Sequence, residues 1–157
     1  MEREKNQILY LVIPCYNEQE VLPETSRRLK EKMESLMDRN MISRDSKIMF
    51  VNDGSKDRTW EMIEELHDQD PLYQVVKLSR NRGHQNALLG GLMTAKEYAD
   101  MVISLDADLQ DDIDVIDQFV EKYYEGCDIV YGVRSARTTD TFFKRFTAEG
   151  FYKIINL

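Results

Sequence analysis

The sequence has little of what marks secreted, membrane-spanning or disordered chains. Its 157 residues include only two cysteines, Cys15 and Cys127, and their separation predicts neither a disulfide framework nor a zinc site. No apolar run reaches about 18 residues, and the stretch from Met1 to Gln7 is charged and polar, so neither a transmembrane helix nor a secretory signal is expected. Only three prolines and seven glycines accompany 42% hydrophobic residues, a composition that excludes a wholly disordered chain. We therefore expect a single reduced, cytoplasmic domain, or a piece of a larger one.

Positive charge is scarce in the body of the chain and concentrated at its end. Residues 1–133 carry 16 Lys and Arg against 27 Asp and Glu, whereas residues 134–157 carry five against two. An acidic body lacks the basic face that nucleic acids require, so no nucleic-acid partner is expected. Basic and apolar residues alternate at helical spacing over residues 138–157, which predicts an amphipathic helix that either lies on an anionic membrane surface or packs on protein. If this apolar tail is exposed, it favours self-association into a homo-oligomer.

Strand-like and helix-like segments alternate from Ile8 to Gly132. Such a rhythm predicts an α/β fold with a mostly parallel sheet flanked by helices. Gly90 and Gly91 inside one predicted helix indicate close packing of that helix on the sheet. The predicted strands are residues 8–13 (stopped by Pro14), 47–52, 73–78, 100–105 and 128–132, and the predicted helices are residues 19–38, a helix capped by Asp57 or Thr59, 84–98 and 113–124.

The sharpest chemical feature follows the fourth predicted strand. In an extended segment, Asp106, Asp108 and Gln110 point to the same side, because side chains alternate along a strand. Two carboxylates that face one point need a cation or a proton between them, and oxygen ligands suit Mg²⁺ or Mn²⁺ held together with substrate phosphates. The alternative is an acidic helix N-terminus, since further aspartates follow and favour the helix dipole.

Polar side chains also follow the other strands, at the edge where open parallel sheets bind ligands. Asp53 is either an acceptor for a ribose hydroxyl or a base N–H, or part of an Asp-Gly turn. The arginines after the third and fifth strands either bind phosphate in bidentate fashion or are solvated surface charges. These arginines are Arg80, Arg82, Arg134 and Arg137.

Five segments together resemble the family 2 glycosyltransferases of the GT-A fold. Within them the chain is most similar to the polyprenyl-phosphate sugar transferases, the group of dolichol-phosphate mannose synthase and the undecaprenyl-phosphate glycosyltransferases. The resemblance spans nearly the whole chain as one catalytic domain and departs from the common pattern at Asp112, where many relatives have proline. It rests on residues 12–18, 51–59, 79–87, 106–111 and 131–134.

The resemblance implies a role for each matched residue. Pro14, Tyr16 and Glu18 would line the nucleotide pocket, with Tyr16 near the base, and Val51 and Asp53 would hold the base and ribose. Asp106 and Asp108 would form the metal motif, with Asp108 the direct ligand, Gln110 assisting and Ala107 in the donor-binding set. Arg134 would approach the donor diphosphate or the acceptor phosphate.

The same resemblance implies a reaction. An inverting transferase would move a sugar from a UDP- or GDP-sugar to a polyprenyl phosphate at the cytoplasmic face of a membrane, in cell-wall or lipopolysaccharide biosynthesis. Relatives continue well past Leu157, so the chain is expected to be a C-terminally truncated catalytic domain whose general base lies beyond it. A transferase acting on a saccharide hydroxyl and a nucleotide-sugar binding fragment without turnover stay open as alternatives. A phosphatase with Asp106 as nucleophile is disfavoured, because that family has its Asp-x-Asp after the first strand, and a dehydrogenase is disfavoured because no Gly-x-Gly-x-x-Gly follows the first strand.

Overall fold

A computed structural model describes residues 2–110 and 112–133 as alternating strands and helices. The predicted amphipathic helix over 138–157, together with Arg134 and Arg137, lies outside the described residues. None of the helices in the described part of the chain is long and apolar enough to cross a membrane. The strands are β1 (Leu9–Cys15), β2 (Lys47–Asn52), β3 (Tyr73–Lys77) and β4 (Met101–Ser104), and the helices are α1 (Leu22–Asp38), α2 (Thr59–Gln69), α3 (His84–Ala95) and α4 (Val115–Tyr124).

The four strands form one parallel sheet in the order β3-β2-β1-β4. The predicted α/β fold with a parallel sheet is therefore confirmed. The chain steps outward from β1 to β3 and then returns across the sheet to place β4 on the other side of β1. The order of the strands thus reverses between β1 and β4, and such a reversal opens a crevice at the carboxyl ends of the strands.

Helices cover both faces of the sheet, which explains why β1 reads as a continuous apolar run. Its odd-numbered side chains, such as Leu11 and Ile13, join a core cluster with residues of α1, α2 and α4. Its even-numbered side chains, such as Val12, join a second cluster with residues of α3. The crossover through α3 runs in the direction opposite to the first two, so right-handed connections place it on the other face.

The strand β1 continues through Pro14, which the sequence had predicted to stop it. Along a strand between two neighbours, successive residues hydrogen-bond alternately to one side and the other. The Cys15 carbonyl accepts from the Asp53 amide on the β2 side, and the Val12 carbonyl accepts from the Leu105 amide on the β4 side. Pro14 therefore faces the β4 side beyond the last residue of β4, where its missing N–H costs no ladder bond.

The predicted fifth strand over residues 128–132 is wrong in the described structure. This segment pairs with no strand there, and the side chains of Ile129 and Tyr131 are 71% and 81% exposed. A Cβ on Gly132 would lie 3.1 Å from the Phe119 ring, so the segment runs beside α4 instead of along β4. An apolar pattern suits a strand, but a strand forms only where a partner backbone is available to complete its ladder.

Close packing of α3 on the sheet, predicted from the paired glycines, is confirmed at Gly91. A Cβ there would lie 2.5 Å from Val12 Cγ1 and 2.7 Å from Val51 Cγ2, whereas a Cβ on Gly90 would meet only Leu78 at 3.8 Å. We expect Gly91→Ala to lower the free energy of unfolding by about 1–3 kcal/mol, because it overpacks the core. Gly90→Ala is the matched control, expected to be neutral or to stabilise by up to about 1 kcal/mol through helix propensity. Urea unfolding of the two variants checks this, and equal stabilities would contradict the close approach.

Ion pairs join α1 to α4 and fix the segment that returns from β4. Lys32 Nζ lies 2.7 Å from Asp114 Oδ1 and 2.6 Å from Asp117 Oδ2, and Arg39 also pairs with Asp117. Partial burial alone would raise the pKa of Asp117, but the bonds from Lys32 and Arg39 outweigh it and hold this pKa below its ordinary value.

A lowered pKa of Asp117 predicts a pH-dependent contribution to stability. The contribution is complete above the unfolded-state pKa of about 3.9 and is lost as the pH falls through the lower folded-state value. Asp117→Asn should therefore destabilise the protein by about 1–2 kcal/mol at pH 7 and by clearly less at pH 2–3. Urea unfolding of both proteins at several pH values measures the difference, and a pH-independent difference would contradict the pairing.

Candidate functional site

The loops that follow the strands meet at one edge of the sheet, because all four strands are parallel. Those after β1 and β2 are joined by hydrogen bonds between side chains and backbone. The Asn17 Oδ1 accepts from the Lys56 amide at 2.8 Å, and the Ser55 Oγ accepts from the Asn17 amide at 3.1 Å. Asn17 has a φ of +52°, a conformation that asparagine tolerates better than most residues. These bonds fix the turn that carries Tyr16, whose side chain is 41% exposed.

Thr59 and Asp57 continue the connection to the start of α2. The Thr59 Oγ1 accepts from the Glu18 amide at 2.8 Å, and the Asp57 Oδ1 accepts from the Thr59 amide at 2.9 Å. Of the two predicted capping residues, Asp57 is thus the one whose side chain binds an amide at the start of α2. Asp57 also accepts from the Gln19 amide, so one carboxylate orders both loops.

Asp53 joins the loop after β2 to the loop after β3. Its side chain is 3% exposed, and its Oδ1 accepts from the Arg82 amide at 2.7 Å. The next residue, Gly54, has a φ of +68°, and a Cβ there would lie 2.3 Å from the Asn81 backbone nitrogen. The two loops are therefore in backbone contact. The structure shows Asp53 as a link between loops, and contact with a nucleotide stays a prediction.

The side chains predicted to line a nucleotide pocket lie at different depths. Val51 is fully buried, with its side chain in the cluster beneath α3, whereas Pro14 is buried but borders an open pocket at the end of β1. Glu18 is partly exposed and lies near the carboxylates after β4. Partial burial raises the pKa of Glu18 above its ordinary value, and the charge of Asp108 raises it further, with smaller contributions from Asp57 and Asp106. Glu18 therefore experiences the negative charges of Asp106 and Asp108 from the neighbouring loop.

The segment from Asp106 to Leu109 is a turn and not the extended strand end that the sequence predicted. The strand β4 ends at Ser104, and the Leu109 amide donates to the Asp106 carbonyl at 3.2 Å. Leu109 has a φ of +47°, which is strained for a bulky residue, while its side chain packs against the core. The Gln110 amide donates to Asp108 Oδ1 at 3.3 Å, so these two residues are neighbours through the backbone.

Ala107 anchors this turn from below. Its side chain is 3% exposed, and its carbonyl accepts a 2.6 Å hydrogen bond from Thr25 Oγ1 of α1, itself 3% exposed. Asp106 and Asp108, on either side, are exposed. The turn thus presents two carboxylates to solvent, while the residue between them is buried and its carbonyl is hydrogen-bonded. Nothing in the sequence pattern indicated the role of Thr25, which lies 82 residues from Ala107.

The two carboxylates suit a divalent cation that shares its ligands with a substrate. Among residues 2–110 and 112–133, no group of three or more His, Cys, Asp or Glu side chains is arranged to hold a metal ion. Mg²⁺, however, commonly takes one or two carboxylates and completes its shell with phosphate oxygens and water. Asp106 and Asp108 fit that chemistry, and Gln110 adjoins them.

His84, to which the sequence assigned no role, borders the same carboxylates. It begins α3, and its Nε2 lies 3.8 Å from Asp106 Oδ1. An open pocket of about 220 Å³ lies between α3 and the ends of β1 and β4. The crossover of α3 above the sheet could have indicated that the start of this helix reaches the site.

Comparison with known proteins gives consistent matches. The sequence matches the family model described as Glycosyl transferase family 2 over residues 10–156. The uncharacterized glycosyltransferase YkoT of Bacillus subtilis (strain 168) is 54% identical over 98% of this chain and 46% of its own length. The prophage bactoprenol glucosyl transferase homolog of Escherichia coli (strain K12) is 42% identical over 93% of this chain and 45% of its own length. The chain therefore spans less than half the length of these relatives.

Solved structures match at the level of the fold. The crystal structure of S. aureus TarS 1-349 superposes with a TM-score of 0.56 at 16% identity, covering 85% of this chain and 40% of that one. The structure of the same segment in complex with UDP gives a TM-score of 0.54 at 19% identity, covering 87% and 39%. The fold is thus shared, although so few residues are identical.

Proposed function

Because this chain belongs to glycosyl transferase family 2, we propose that it forms the donor-binding part of a transferase that moves a sugar from a nucleoside diphosphate sugar to a polyprenyl phosphate. The observation that carries the proposal is the turn from Asp106 to Leu109. It presents two exposed carboxylates beside Glu18, at the edge where the strand order reverses. The acceptor site and the activity of the whole enzyme are likewise proposed and not observed.

Two findings on relatives support the choice of substrates. Relatives named bactoprenol glucosyl transferase, from Escherichia coli and Shigella phage SfV, are 42% identical over 93% of this chain, which supports a polyprenyl phosphate acceptor. The related fold of TarS has been solved with UDP, which supports a nucleotide sugar donor, and we propose that the nucleotide is uridine-based. The proposed place of action is the cytoplasmic face of a membrane, where a polyprenyl phosphate presents its head group.

The chemistry follows from charge. When the bond from the anomeric carbon to the diphosphate breaks, negative charge develops on the leaving diphosphate. Asp106 and Asp108, with Gln110 assisting, would hold a Mg²⁺ or Mn²⁺ ion, which would supply positive charge beside the leaving diphosphate. Inversion follows when the acceptor attacks the opposite face of the sugar in one displacement. A phosphate monoester has a second pKa of about 6 and is largely ionised at pH 7, so it needs no strong general base.

The loops on the β2 side of the site would hold the nucleotide. Tyr16 is exposed on a turn fixed by Asn17 and Ser55, which suits stacking against a base. Asp53 lies at the junction of two ordered loops and is the proposed acceptor for a ribose hydroxyl or a base N–H. Arg134 is the proposed cation for the diphosphate or acceptor phosphate.

Calorimetric titration of UDP-glucose, UDP and GDP, each with and without Mn²⁺, tests the proposal. We expect Mn²⁺-dependent binding of the uridine nucleotides, weakened at least about tenfold in Asp108→Ala, because a ligand to the cation is lost. Asp68→Ala, which removes an exposed carboxylate on α2, controls for the change in net charge and should bind like the wild type. Failure of the folded protein to bind any nucleotide would contradict the proposal.

Transfer to the acceptor separates the proposal from its two alternatives. With a bound donor and undecaprenyl phosphate in detergent micelles, we expect a lipid-linked sugar as the product. Transfer to an oligosaccharide instead would favour a transferase acting on a saccharide hydroxyl. Donor binding without transfer to either acceptor would favour a nucleotide-sugar binding fragment.

A further inference from the structure

The pocket between β1, β4 and α3 is lined by Asp106, one of the two exposed carboxylates, and by Pro14 of β1. We infer that it receives the sugar of the donor and that His84 is a specificity-determining residue for that sugar; this inference rests on the proposed function. The pocket lies at the point where the strand order reverses. Its lining residues are Pro14, His84, Leu88, Ser104, Leu105 and Asp106.

The size of the pocket suits one part of a donor and not the whole molecule. Its volume is about 220 Å³, whereas pockets that enclose a complete small-molecule ligand measure roughly 300–1,000 Å³. A monosaccharide is the compact part of a nucleotide sugar, and the nucleoside would extend toward Tyr16 and Asp53 on the β2 side. Asp106 is shared between the pocket and the carboxylate pair, so a group in the pocket would adjoin a diphosphate bound through the proposed cation at Asp106 and Asp108.

The chemistry of the lining suits a neutral polyol better than an anion. His84, Ser104 and Asp106 offer polar groups that donate to or accept from hydroxyls, and the apolar side chains of Leu88 and Leu105 suit the C–H face of a sugar ring. A phosphate in the same place would meet no Lys or Arg among these lining residues. The pocket therefore favours the sugar over a second phosphate group.

His84 is the side chain best placed to distinguish one sugar from another. It begins α3, its imidazole is 57% exposed, and its Nε2 lies 3.8 Å from Asp106 Oδ1, leaving space at the pocket wall for a hydroxyl near both groups. A site built to bond a particular hydroxyl rejects sugars in which that hydroxyl is absent or turned away, because its polar groups are then left unpaired. Ser104, at the exposed end of β4, provides a second polar group in the lining of the pocket.

The test compares donors that share one nucleotide. With Mn²⁺ present, the affinities of UDP, UDP-glucose, UDP-galactose and UDP-N-acetylglucosamine are measured by calorimetry on the wild type, His84→Ala and His84→Gln. We expect UDP to bind all three proteins with affinities that agree within about twofold. In His84→Ala, the ratio of affinities between the most tightly and the most weakly bound UDP-sugar should fall by about tenfold. His84→Gln, which keeps a hydrogen-bonding group, should retain part of the discrimination.

Two further variants secure the interpretation. Ser104→Leu fills the pocket from an exposed strand end, so it should weaken every UDP-sugar while sparing UDP. Gln85→Ala, at the exposed neighbour of His84, should leave all affinities unchanged. The inference would be overturned if His84→Ala weakened the binding of UDP and of the UDP-sugars equally. It would also be overturned if the affinity ratios among the UDP-sugars did not change. In either case the proposed function would stand. Failure of the wild type to bind any nucleotide would overturn the proposed function and this inference with it.

Discussion

Gly54→Ala is expected to lower the free energy of unfolding by about 2–4 kcal/mol and to weaken nucleotide binding at least about tenfold. Two costs combine at this position. The φ of +68° is unfavourable for any residue with a Cβ, and that Cβ would lie 2.3 Å from the Asn81 nitrogen and 2.7 Å from the Arg80 carbonyl carbon. Backbone atoms cannot rotate away as a side chain can, so the loops after β2 and β3 must separate. Separation would break the bond from the Arg82 amide to Asp53, at the proposed nucleotide pocket.

Gly83→Ala separates the two costs. Gly83 has a φ of +88°, but a Cβ there would meet nothing within 4 Å. With a ψ of +153° it lies in a region that residues with a Cβ hardly occupy, so it should show the conformational cost alone, about 1–3 kcal/mol. Urea unfolding of both variants, with UDP titration of Gly54→Ala, measures the effects. Equal destabilisation by the two substitutions would show that the contact between the loops is not tight in solution.

The sheet was predictable because burial on both faces leaves a clear mark in the sequence. A parallel strand covered by helices is apolar at every position, as in β1, and the intervening helices carry apolar residues at their own period. The close approach of α3 was predictable as well. A glycine inside a helix lowers its stability, so its presence there indicates another requirement, such as close packing on the sheet. The packing of α3 on the sheet leaves no room for a Cβ at Gly91, whereas it does at Gly90.

The errors in prediction share a cause: a local sequence pattern does not predict which other parts of the chain lie beside it in the fold. Pro14 has no N–H, but whether this ends a strand depends on what lies on the side it faces. The apolar residues around Ile129 suit a strand, but none of the described strands pairs with them. The motif at Asp106 and Asp108 was predicted to be extended, whereas the strained backbone at Leu109 turns it, held by packing of the Leu109 side chain.

The contacts that organise the candidate site were beyond prediction for a further reason. The bonds from Arg82 to Asp53 and from Thr25 to Ala107 join residues that lie 29 and 82 positions apart. Strand alternation predicted that the loops gather at one edge of the sheet, but not which amide or hydroxyl meets which oxygen. Residue types identified the carboxylates, while the groups that hold them in place are ordinary residues such as threonine and alanine.

Thr25→Val should reveal how far the proposed metal motif depends on the bond to Ala107. Valine has nearly the same shape as threonine but cannot donate, so the buried Ala107 carbonyl would lose its 2.6 Å partner. An unsatisfied buried acceptor costs about 1–3 kcal/mol, which urea unfolding measures. The turn that carries Asp106 and Asp108 would lose its anchor, so we expect the Mn²⁺-dependent part of nucleotide affinity to fall about tenfold.

Thr25→Ser restores the hydroxyl and removes only a methyl group, so it should recover the Mn²⁺-dependent affinity even if the smaller side chain lowers stability. Binding measured without Mn²⁺ should be unaffected in both variants, because the nucleotide loops after β1 and β2 do not include Thr25. A loss of stability in Thr25→Val without any change in Mn²⁺ dependence would show that the bond supports the fold alone. A selective loss of Mn²⁺ dependence, reversed by serine, would show that α1 positions the carboxylates from beneath, so that a buried hydroxyl fixes the geometry of an exposed charge pair.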